Sequence, residues 1–239
     1  MKVLAIIQAR MDSSRLRGKV LMKIENKTIL EHIIDSLKFS KLIDDIIVAT
    51  SKNKNDNKIE LLCNSLKIKC FRGSQNDVLG RYYECAKFFQ GDLILRITGD
   101  NPFVDPLIID KIIQICKKSH CQYASNVLHQ TFPLGYSLCE AMTLLTLEQL
   151  YNTKFNKMSR EHVTHDIRKN PKKYFVKEIL APKNLQRPTW RLTVDYKEDL
   201  ELVKKIFSKL YKPGKPILYK TLVKFLDQNQ EILQIKKSY

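Results

Sequence analysis

Four cationic side chains crowd the loop that follows the first apolar run, Val3–Ile7. They fall within ten residues at Arg10, Arg15, Arg17 and Lys19. Like charges so close together repel one another unless an anion lies among them. Cations and backbone N–H groups at a strand-to-helix junction suit a polyphosphate. The loop contains neither G-x-x-x-x-G-K-[ST] nor G-x-G-x-x-G, so a solvated basic loop is the alternative.

A second group of polar residues follows a later apolar run. Leu93–Ile97 predicts a buried strand, and Thr98, Gly99 and Asp100 come directly after it. An aspartate at the carboxyl end of a central strand points into the crevice where open α/β sheets bind ligands. A carboxylate there suits Mg²⁺, which takes one or two protein oxygens together with phosphate oxygens and water. Asp100 could instead cap the following turn, and the sequence leaves both interpretations open.

The same arrangement recurs late in the chain. Arg191–Val194 predicts a short strand, Asp195 follows it, and a helical pattern over Lys197–Leu210 begins shortly afterwards. Taken alone, Asp195 is typical of a helix N-cap, with Glu198 completing a capping box. A role as second metal ligand gains support from Asp100 and the basic loop. Together the three segments predict a site for a nucleoside triphosphate and its metal.

Alternating strand and helix patterns position these segments. The strand patterns of the first half are Lys2–Gln8, Ile43–Thr50, Lys67–Phe71 and Leu93–Ile97. The helix patterns between and after them are Thr28–Ser40, Asn55–Ser65, Asn76–Phe89 and Pro106–Lys118. Such alternation predicts an α/β fold, with a mostly parallel central sheet flanked by helices on both faces.

The second half changes character. Pro133 and Gly135 predict a turn that leads into a small antiparallel piece. Further strands are predicted at Gln122–Asn126, Tyr174–Ile179 and Arg191–Val194, and further helices at Thr146–Thr153, Ser159–Lys169, Lys197–Leu210 and Tyr219–Gln228. We interpret residues 1–239 as a single domain with an embedded subregion at 130–180.

The composition limits the class of partner. The net charge is +17, but only 10 of the 42 cations are arginine and the lysines spread along the whole chain. Surfaces evolved for nucleic acid favour arginine interleaved with aromatic residues, so we expect no nucleic-acid partner. Without a long apolar run or a signal peptide, we expect no membrane insertion and a cytoplasmic location. The six scattered cysteines are expected to be free thiols.

Ordered motifs extend over nearly the whole chain. They are Gln8-Ala9-Arg10-x-x-Ser13-x-Arg15-Leu16-x-x-Lys19, Arg72-Gly73-Ser74-x-x-Asp77-Val78-Leu79-x-Arg81-Tyr82, Arg96-Ile97-Thr98-Gly99-Asp100-x-Pro102-x-x-Asp105-Pro106, Pro133-x-Gly135 followed by Glu140, Arg160-Glu161-His162-Val163-Thr164 and Arg191-Leu192-Thr193-Val194-Asp195. With these motifs the chain resembles the cytidylyltransferases of the spore coat polysaccharide biosynthesis protein F type, relatives of the KDO and acylneuraminate cytidylyltransferases.

The resemblance implies a nucleotide-diphospho-sugar transferase fold of the glycosyltransferase-A type, which is Rossmann-like. It implies transfer of CMP from CTP to a sugar acid or phosphorylated acceptor, with release of pyrophosphate, for surface glycan or polysaccharide biosynthesis. It also implies a homodimer, formed through the region near 130–170.

The resemblance further assigns roles to individual residues. The implied catalytic residues are Arg10, Lys19 and Asp100, and Asp100 and Asp195 would bind Mg²⁺. The implied nucleotide-binding residues are Ala9, Arg10, Ser13, Arg15, Lys19, Ser74, Asp77, Arg81 and Thr98. The implied acceptor-binding residues are Glu140, Arg160, His162 and Arg191.

Several alternatives stay open. Asp77 is also suited to a helix N-cap, Arg81 to a surface salt bridge, and His162 to a structural role within a helix. A glycosyltransferase that consumes a nucleotide sugar would share the fold, but Thr98-Gly99-Asp100 supplies only the last residue of its D-x-D motif. The charge alone would also suit a basic nucleic-acid-binding protein.

Overall fold

The computed structural model describes residues 1–153 and 157–234. Its strands are β1 Val3–Gln8, β2 Lys23–Ile24, β3 Lys27–Thr28, β4 Asp45–Ser51, β5 Lys69–Gly73, β6 Leu93–Thr98, β7 Tyr123–Ser125, β8 Cys139–Thr143 and β9 Val176–Glu178. Its α-helices are α1 Ile29–Leu37, α2 Asn57–Ser65, α3 Val78–Phe88, α4 Pro106–Ser119, α5 Leu144–Asn152, α6 Lys157–His162, α7 His165–Lys169, α8 Lys197–Leu210 and α9 Tyr219–Gln228.

Seven strands form the main sheet in the order β5-β4-β1-β6-β8-β7-β9. Strands β5, β4, β1 and β6 pair in parallel, and so do β7 and β9. Strand β8 runs antiparallel to both of its neighbours, β6 and β7. The predicted α/β class, with a mostly parallel sheet and a small antiparallel part, is confirmed.

Two layers of helices cover the sheet because its central strands are apolar on both faces. Along β1, Val3, Ala5 and Ile7 pack into the cluster formed with α1, α2, α4, α8 and α9. Leu4 and Ile6 pack into the cluster formed with α3, α5 and α7. All five side chains are fully buried, as expected for a strand buried on both faces.

The predicted strand at Arg191–Val194 is wrong. Only Arg191 forms a bridge, to Leu134, and no ladder follows it in the described part of the chain. The backbone N–H of Leu192 donates to the Leu134 carbonyl, whereas that of Val194 donates to the Asp100 carbonyl. Because its hydrogen bonds go to two different loops, this segment ties them together instead of extending the sheet.

The predicted helix Ser159–Lys169 is interrupted. Val163 has a φ of 48°, in the left-handed region that an α-helix cannot accommodate, so α6 ends before it and α7 begins after it. Strand β8 corresponds to the antiparallel piece predicted after Pro133 and Gly135, for which no bounds were given. The short β2–β3 hairpin was not predicted. The other predicted elements are present, with ends that differ by a few residues.

The expectations about membrane insertion, cysteine state and domain organisation have different outcomes. Within the described ranges, no helix combines the length and apolar character needed to cross a bilayer. The six cysteines are free thiols, as predicted. The single-domain interpretation and its 130–180 subregion stay predictions, and residues 154–156 and 235–239 lie outside the described residues.

Candidate active site

The buried carboxylate of Asp56 holds the basic loop against the end of β4. Asp56 Oδ1 accepts a hydrogen bond from the Met11 backbone N–H at 2.7 Å, and Oδ2 accepts one from the Ser51 N–H at 3.1 Å. Gly18 has a φ of 70° and donates its N–H to the Met11 carbonyl at 2.8 Å. The loop cations are therefore held at the carboxyl edge of the sheet. No sequence signal distinguishes Asp56 from its polar neighbours.

The Lys19 ammonium lies between the two aspartates predicted as metal ligands. Lys19 Nζ donates to Asp100 Oδ2 at 2.7 Å, to Asp195 Oδ1 at 2.9 Å and to the Val194 carbonyl at 2.8 Å. The Val194 N–H in turn donates to the Asp100 carbonyl at 3.0 Å. Three segments far apart in sequence thus meet at one nitrogen atom.

Three cations pair with Asp195. Besides Lys19, it accepts hydrogen bonds from Arg15 Nη2 at 2.6 Å and from Arg191 Nη2 at 2.5 Å. Burial acts to raise the pKa of Asp195, but the hydrogen bonds and positive charges of these neighbours outweigh it and lower that pKa. Asp195 is therefore ionised at neutral pH.

Asp199 fixes the backbone around Asp195. Its Oδ2 accepts hydrogen bonds from the N–H groups of Asp195 at 2.9 Å and Tyr196 at 3.0 Å. The acid that caps α8 is therefore Asp199, and the capping box of Asp195 with Glu198 is wrong. Arg191, predicted to bind the acceptor, lies 3.4 Å from Asp199 Oδ1 through its Nε.

A close backbone approach holds the segment that carries Asp195. Gly135 has a φ of 90°, and a Cβ at this position would lie 2.3 Å from the Thr193 backbone nitrogen. Leu134, the residue before Gly135, makes two backbone hydrogen bonds to the same segment. Its N–H donates to the Trp190 carbonyl at 2.9 Å, and its carbonyl accepts from the Leu192 N–H at 2.7 Å. Only glycine satisfies both the backbone angle and the spacing.

The ends of β1 and β6 also lie directly against each other. The Gly99 N–H donates to the Gln8 carbonyl at 2.9 Å, and a Cβ on Gly99 would lie 2.7 Å from that oxygen. Thr98 Oγ1 accepts a hydrogen bond from Asn101 Nδ2 at 2.5 Å, which closes the turn. Asp100 therefore faces the basic loop without an intervening side chain at Gly99.

Asp100 and Asp195 carry carboxylate oxygens of the kind that Mg²⁺ binds, and both pair with Lys19 in this structure. Hard divalent cations prefer carboxylate oxygens, and Mg²⁺ usually keeps positions for substrate oxygens and water. The Asp100 side chain is 27% exposed, which leaves it accessible from the cleft. Among the residues that the structure describes, no group of three or more His, Cys, Asp or Glu side chains could hold a metal. Two carboxylates would leave the remaining positions around a Mg²⁺ ion to substrate oxygens and water.

A cleft opens beside Lys19 and continues toward β6. Its first part has a volume of about 310 Å³ and its second part about 250 Å³. The predicted site residues that line one part or both are Ala9, Arg10, Ser13, Arg15, Lys19, Arg81, Thr98, Asp100 and His162. The predicted residues outside this lining are Ser74, Asp77, Glu140, Arg160, Arg191 and Asp195.

Asp77 has the geometry of a helix cap. Its Oδ1 accepts a hydrogen bond from the Gly80 N–H at 2.8 Å, and its own N–H donates to Ser74 Oγ at 3.1 Å. Its Oδ2 lies 3.2 Å from Arg160 Nη1, an ion pair that joins α3 to α6. The predicted roles of Ser74, Asp77 and Arg160 in ligand binding stay predictions.

A second ion pair joins the basic loop to α6. Arg10 Nη2 lies 3.2 Å from Glu161 Oε1, and both residues line the cleft. The next residue, His162, also lines the cleft. Burial lowers the pKa of His162, with the negative charge of Glu161 opposing the effect, so the ring is neutral near pH 7.

A buried ion pair crosses from β6 to β8. Arg96 and Glu140 are register partners on these antiparallel strands, and Arg96 Nη1 donates to Glu140 Oε2. Glu140 Oε1 accepts hydrogen bonds from Tyr123 Oη and Thr164 Oγ1, each at 2.6 Å. Burial acts to raise the pKa of Glu140, but the charges of Arg96 and Arg168 hold it below its usual value.

Arg96 is a cleft residue that was absent from the predicted site. A cation inside the otherwise apolar strand Leu93–Thr98 is the sequence signal that could have indicated it. Its Nε is buried and has no hydrogen-bond partner within the described residues, and the same holds for Arg81 Nε and Gln8 Oε1. Buried polar atoms are nearly always paired in folded proteins, so three unpaired atoms around one cleft indicate a ligand site.

Arg81 is not the surface residue that the alternative interpretation described. It is 1% exposed, and Nη1 donates to the Ser74 carbonyl at 2.8 Å. Burial lowers the pKa of Arg81. Across residues 1–153 and 157–234, no carboxylate forms a salt bridge with this guanidinium.

The profile of a protein family described as cytidylyltransferase matches residues 4–235. The chain therefore belongs to the cytidylyltransferase family, and the predicted resemblance is confirmed.

Individual relatives agree with this assignment. An uncharacterized protein of Methanocaldococcus jannaschii is 41% identical over 241 residues, which are 100% of this chain and 96% of that protein. The spore coat polysaccharide biosynthesis protein SpsF of Bacillus subtilis is 34% identical over 214 residues, covering 87% of each protein.

Solved structures support the fold. A cytidylyltransferase from Leptospira borgpetersenii serovar Hardjo-bovis superposes with a TM-score of 0.92 at 32% identity, over 100% of this chain and 99% of that one. The CMP:2-keto-3-deoxy-manno-octonic acid synthetase complexed with CTP has a TM-score of 0.64 at 15% identity, over 87% of this chain and 99% of that one. At that identity the second likeness concerns the fold alone.

Proposed function

We propose that this cytidylyltransferase transfers CMP from CTP to a sugar acid or phosphorylated acceptor and releases pyrophosphate. The observation that carries the proposal is the meeting of Lys19, Asp100 and Asp195 beside an arginine-lined cleft. The proposal is supported by the names of relatives, which include 3-deoxy-manno-octulosonate cytidylyltransferases and a polysaccharide biosynthesis protein. We propose a role in polysaccharide biosynthesis on the same grounds.

In the proposed reaction an acceptor oxygen attacks the α-phosphorus of CTP. A new oxygen–phosphorus bond forms, the bond to the β-phosphate oxygen breaks, and pyrophosphate leaves with the electron pair. Proteins catalyse such transfers mainly by positioning and charge stabilisation. Arg10, Arg15 and Lys19 supply positive charge at the place where the triphosphate would lie.

Asp100 and Asp195 are the residues that would hold Mg²⁺. When bound, this ion neutralises phosphate charge and lowers the pKa of a hydroxyl group near it. Arg191 and Asp199 keep the Asp195 carboxylate oriented. His162, neutral near pH 7, is the residue we propose to accept the proton of the attacking hydroxyl.

The first experiment measures pyrophosphate release. Thermal shift with each of the four nucleoside triphosphates and magnesium identifies the nucleotide, and we expect CTP to give the largest stabilisation. Sugar acids and sugar phosphates are then screened for pyrophosphate release with that nucleotide. No nucleotide-dependent shift and no pyrophosphate from any acceptor would contradict the proposal.

Asp100→Ala tests the role of the cleft carboxylate. We expect the rate of pyrophosphate release to fall by roughly 10²–10³-fold, the size typical of one electrostatic group at such a site. Asp92→Ala is the matched control, because Asp92 directly precedes the opposite end of β6 and its side chain is 59% exposed. An Asp100→Ala protein with the wild-type rate would remove Asp100 from the mechanism.

We also propose a homodimer formed through the region near 130–170, in a cytoplasmic enzyme. Phe132 and Tyr136 from this region fill the protein's own core, being 4% and 0% exposed. Leu134, Leu145 and Met158 are 38%, 63% and 52% exposed and remain available for a contact between copies. Sedimentation equilibrium checks the proposal, and a monomer at micromolar concentration would contradict it.

A further inference from the structure

We infer that a second small-molecule site lies apart from the cleft, in a cavity lined by α1 and α8, and that it takes an aromatic ring carrying one anionic group. This α1–α8 cavity has a volume of about 290 Å³. Its walls include His32 and Ser36 of α1, Phe103 from the turn after β6, Phe207 of α8 and Lys215 from the loop after α8. The inference goes beyond the proposed transfer reaction, because the cavity and the cleft share no lining residue in the described part of the chain.

The inner wall of the α1–α8 cavity is fixed by contacts among its own buried side chains. His32, Phe103 and Phe207 are 3%, 1% and 3% exposed. The His32 ring meets the Phe207 ring edge-on with a centroid distance of 4.6 Å, and its Nε2 lies 2.9 Å from the Ile24 carbonyl oxygen. A concave wall held in this way is typical of small-molecule sites, which are largely formed before the ligand arrives.

Four aromatic side chains besides His32 line the α1–α8 cavity. They are Phe39, Phe103, Phe207 and Tyr211. The ring centroids of Phe103 and Phe207 are 5.1 Å apart, and those of Phe207 and Tyr211 are 5.9 Å apart. Aromatic rings attract one another at centroid distances of about 4.5–7 Å, in tilted or offset arrangements. The lining therefore favours a ligand that is itself aromatic.

Positive charge exceeds negative charge around the α1–α8 cavity. Lys27, Lys38 and Lys215 line it, whereas Asp35 is the one acid among the described residues of its lining. The Asp35 carboxylate pairs with Lys27 at 2.5 Å and lies 3.9 Å from the Lys38 ammonium. Lys215 forms no salt bridge with any acid in residues 1–153 and 157–234. An anionic group on the ligand would therefore meet an ammonium that no protein carboxylate occupies.

The combination of these two features defines the ligand class. Exposed lysines alone are ordinary surface charge, and buried aromatic rings alone are ordinary core. In the α1–α8 cavity an aromatic inner wall and the unpaired Lys215 ammonium belong to one concave site. Its volume of about 290 Å³ is close to the lower limit of about 300 Å³ for ligand pockets, which suits a single ring system with one charged group.

The ligand of this site differs from the substrates of the transfer reaction. CTP also joins a ring to an anion, but the residues proposed to handle its triphosphate line the cleft. Pro102 follows Asp100 by two residues and yet lines the α1–α8 cavity, whereas Asp100 lines the cleft. A ligand in the cavity would contact the turn after Asp100 without reaching the cleft, so it would be bound and not turned over.

The probe for this site is 8-anilinonaphthalene-1-sulfonate, an aromatic sulfonate whose fluorescence increases in apolar surroundings. We expect saturable binding at a single site per chain with a dissociation constant below about 100 µM. Saturating CTP should leave the probe bound. Three competitors separate the two features of the ligand: phenyl phosphate carries ring and anion, benzyl alcohol the ring alone, and inorganic phosphate the anion alone. We expect phenyl phosphate to displace the probe at concentrations at which the other two do not.

Two variants test the cavity itself. Lys215→Met removes the unpaired ammonium and should raise the dissociation constant of the probe by about tenfold. Its control is Lys224→Met, since Lys224 is exposed on α9 and lines neither the cavity nor the cleft. Ser36→Phe fills the cavity and should abolish saturable binding. Ser65→Phe adds the same side chain at an exposed position of α2 and should leave binding unchanged.

Wild-type probe affinity in Lys215→Met or in a folded Ser36→Phe protein would overturn the inference. Displacement of the probe by CTP would assign it to the cleft and would overturn the inference too. The same holds if benzyl alcohol or inorganic phosphate competes as well as phenyl phosphate. Thermal unfolding identifies folded variants, and Lys215→Met decides the question if Ser36→Phe does not fold. Because no turnover is measured, the result is independent of the proposed transfer reaction.

Discussion

Lys19 Nζ lies 2.7 Å from Asp100 Oδ2 while also donating to Asp195. The protein's own ammonium therefore occupies the space between the two carboxylates that we propose as metal ligands. The ammonium of Lys19 offsets the charge of these carboxylates, and a divalent cation that bound them would compete with Lys19 for the same oxygens.

Replacing Lys19 tests this competition. In Lys19→Met the two carboxylates lose their shared cation, so we expect Mn²⁺ to bind without nucleotide about tenfold more tightly than in the wild type. Electron paramagnetic resonance of free Mn²⁺ during a titration measures this directly. Lys27→Met is the control, since Lys27 pairs with Asp35 at 2.5 Å outside the cleft. Equal Mn²⁺ affinity in Lys19→Met and the wild type would contradict the prediction.

Gly135 and Gly214 form a matched pair for testing the segment that holds Asp195. Both have positive φ, 90° and 73°, but a Cβ would meet Thr193 at 2.3 Å only at Gly135, and nothing within 4 Å at Gly214. We expect Gly135→Ala to lower the free energy of unfolding by more than about 3 kcal/mol, because backbone strain and a steric clash add. Gly214→Ala should cost about 1 kcal/mol. Urea unfolding measures both, and similar losses would show that the close approach is unimportant.

His32 gives the protein a pH-dependent stability that is separate from catalysis. Burial lowers the pKa of His32 below 6.5, opposed by the hydrogen bond between its Nε2 and the Ile24 carbonyl. The unfolded chain therefore binds a proton at His32 more readily than the folded protein. The contribution of His32 to the free energy of unfolding is therefore fully present above pH 6.5. It decreases as the pH drops toward the lower pKa of the folded state, by up to about 1.4 kcal/mol per pH unit.

Urea unfolding at several pH values from 7.5 downward, in the wild type and in His32→Gln, checks this expectation. The wild type should lose stability more steeply than the variant as the pH falls below 6.5. Parallel curves for the two proteins would assign the acid sensitivity to other groups.

Asp56 connects the basic loop to β4, so its loss should affect nucleotide binding. In Asp56→Ala the Met11 and Ser51 N–H groups lose their acceptor, and the loop that carries Arg10 and Lys19 is no longer fixed. We expect the CTP dissociation constant to rise by about tenfold, because preorganisation of the cations is lost. Asp35→Ala, which removes the surface pair with Lys27, is the control. Calorimetry with CTP measures both, and unchanged affinity in Asp56→Ala would contradict the prediction.

The sequence was most informative where apolar runs end in polar residues. The basic loop after β1 and Asp100 after β6 could be placed together from the sequence, because parallel strands bring their carboxyl ends to one edge of the sheet. The motifs also led to Asp195, although the strand predicted before it is absent. Its position depends on two tertiary hydrogen bonds, from the Leu192 N–H to the Leu134 carbonyl and from the Val194 N–H to the Asp100 carbonyl, which no local pattern shows.

Residues that act through buried networks were harder to find. Asp56 and Asp199 look like ordinary surface acids in the sequence, yet each accepts hydrogen bonds from two backbone N–H groups. Arg96 was visible as a cation in an apolar strand, but its partner Glu140 lies on β8, for which the sequence predicted neither bounds nor neighbouring strands. Local periodicity cannot reveal a pairing that depends on which strands are neighbours.

The reversed direction of β8 has a consequence for how this enzyme can diversify. The parallel strands β5, β4, β1 and β6 lie on one side of the sheet, and β8, β7 and β9 on the other. Arg96 and Glu140 are paired across the boundary between them. Substitutions on the β8 side can therefore reach the cleft wall through Arg96, while the backbone pairing of the parallel strands around Lys19 stays unaltered.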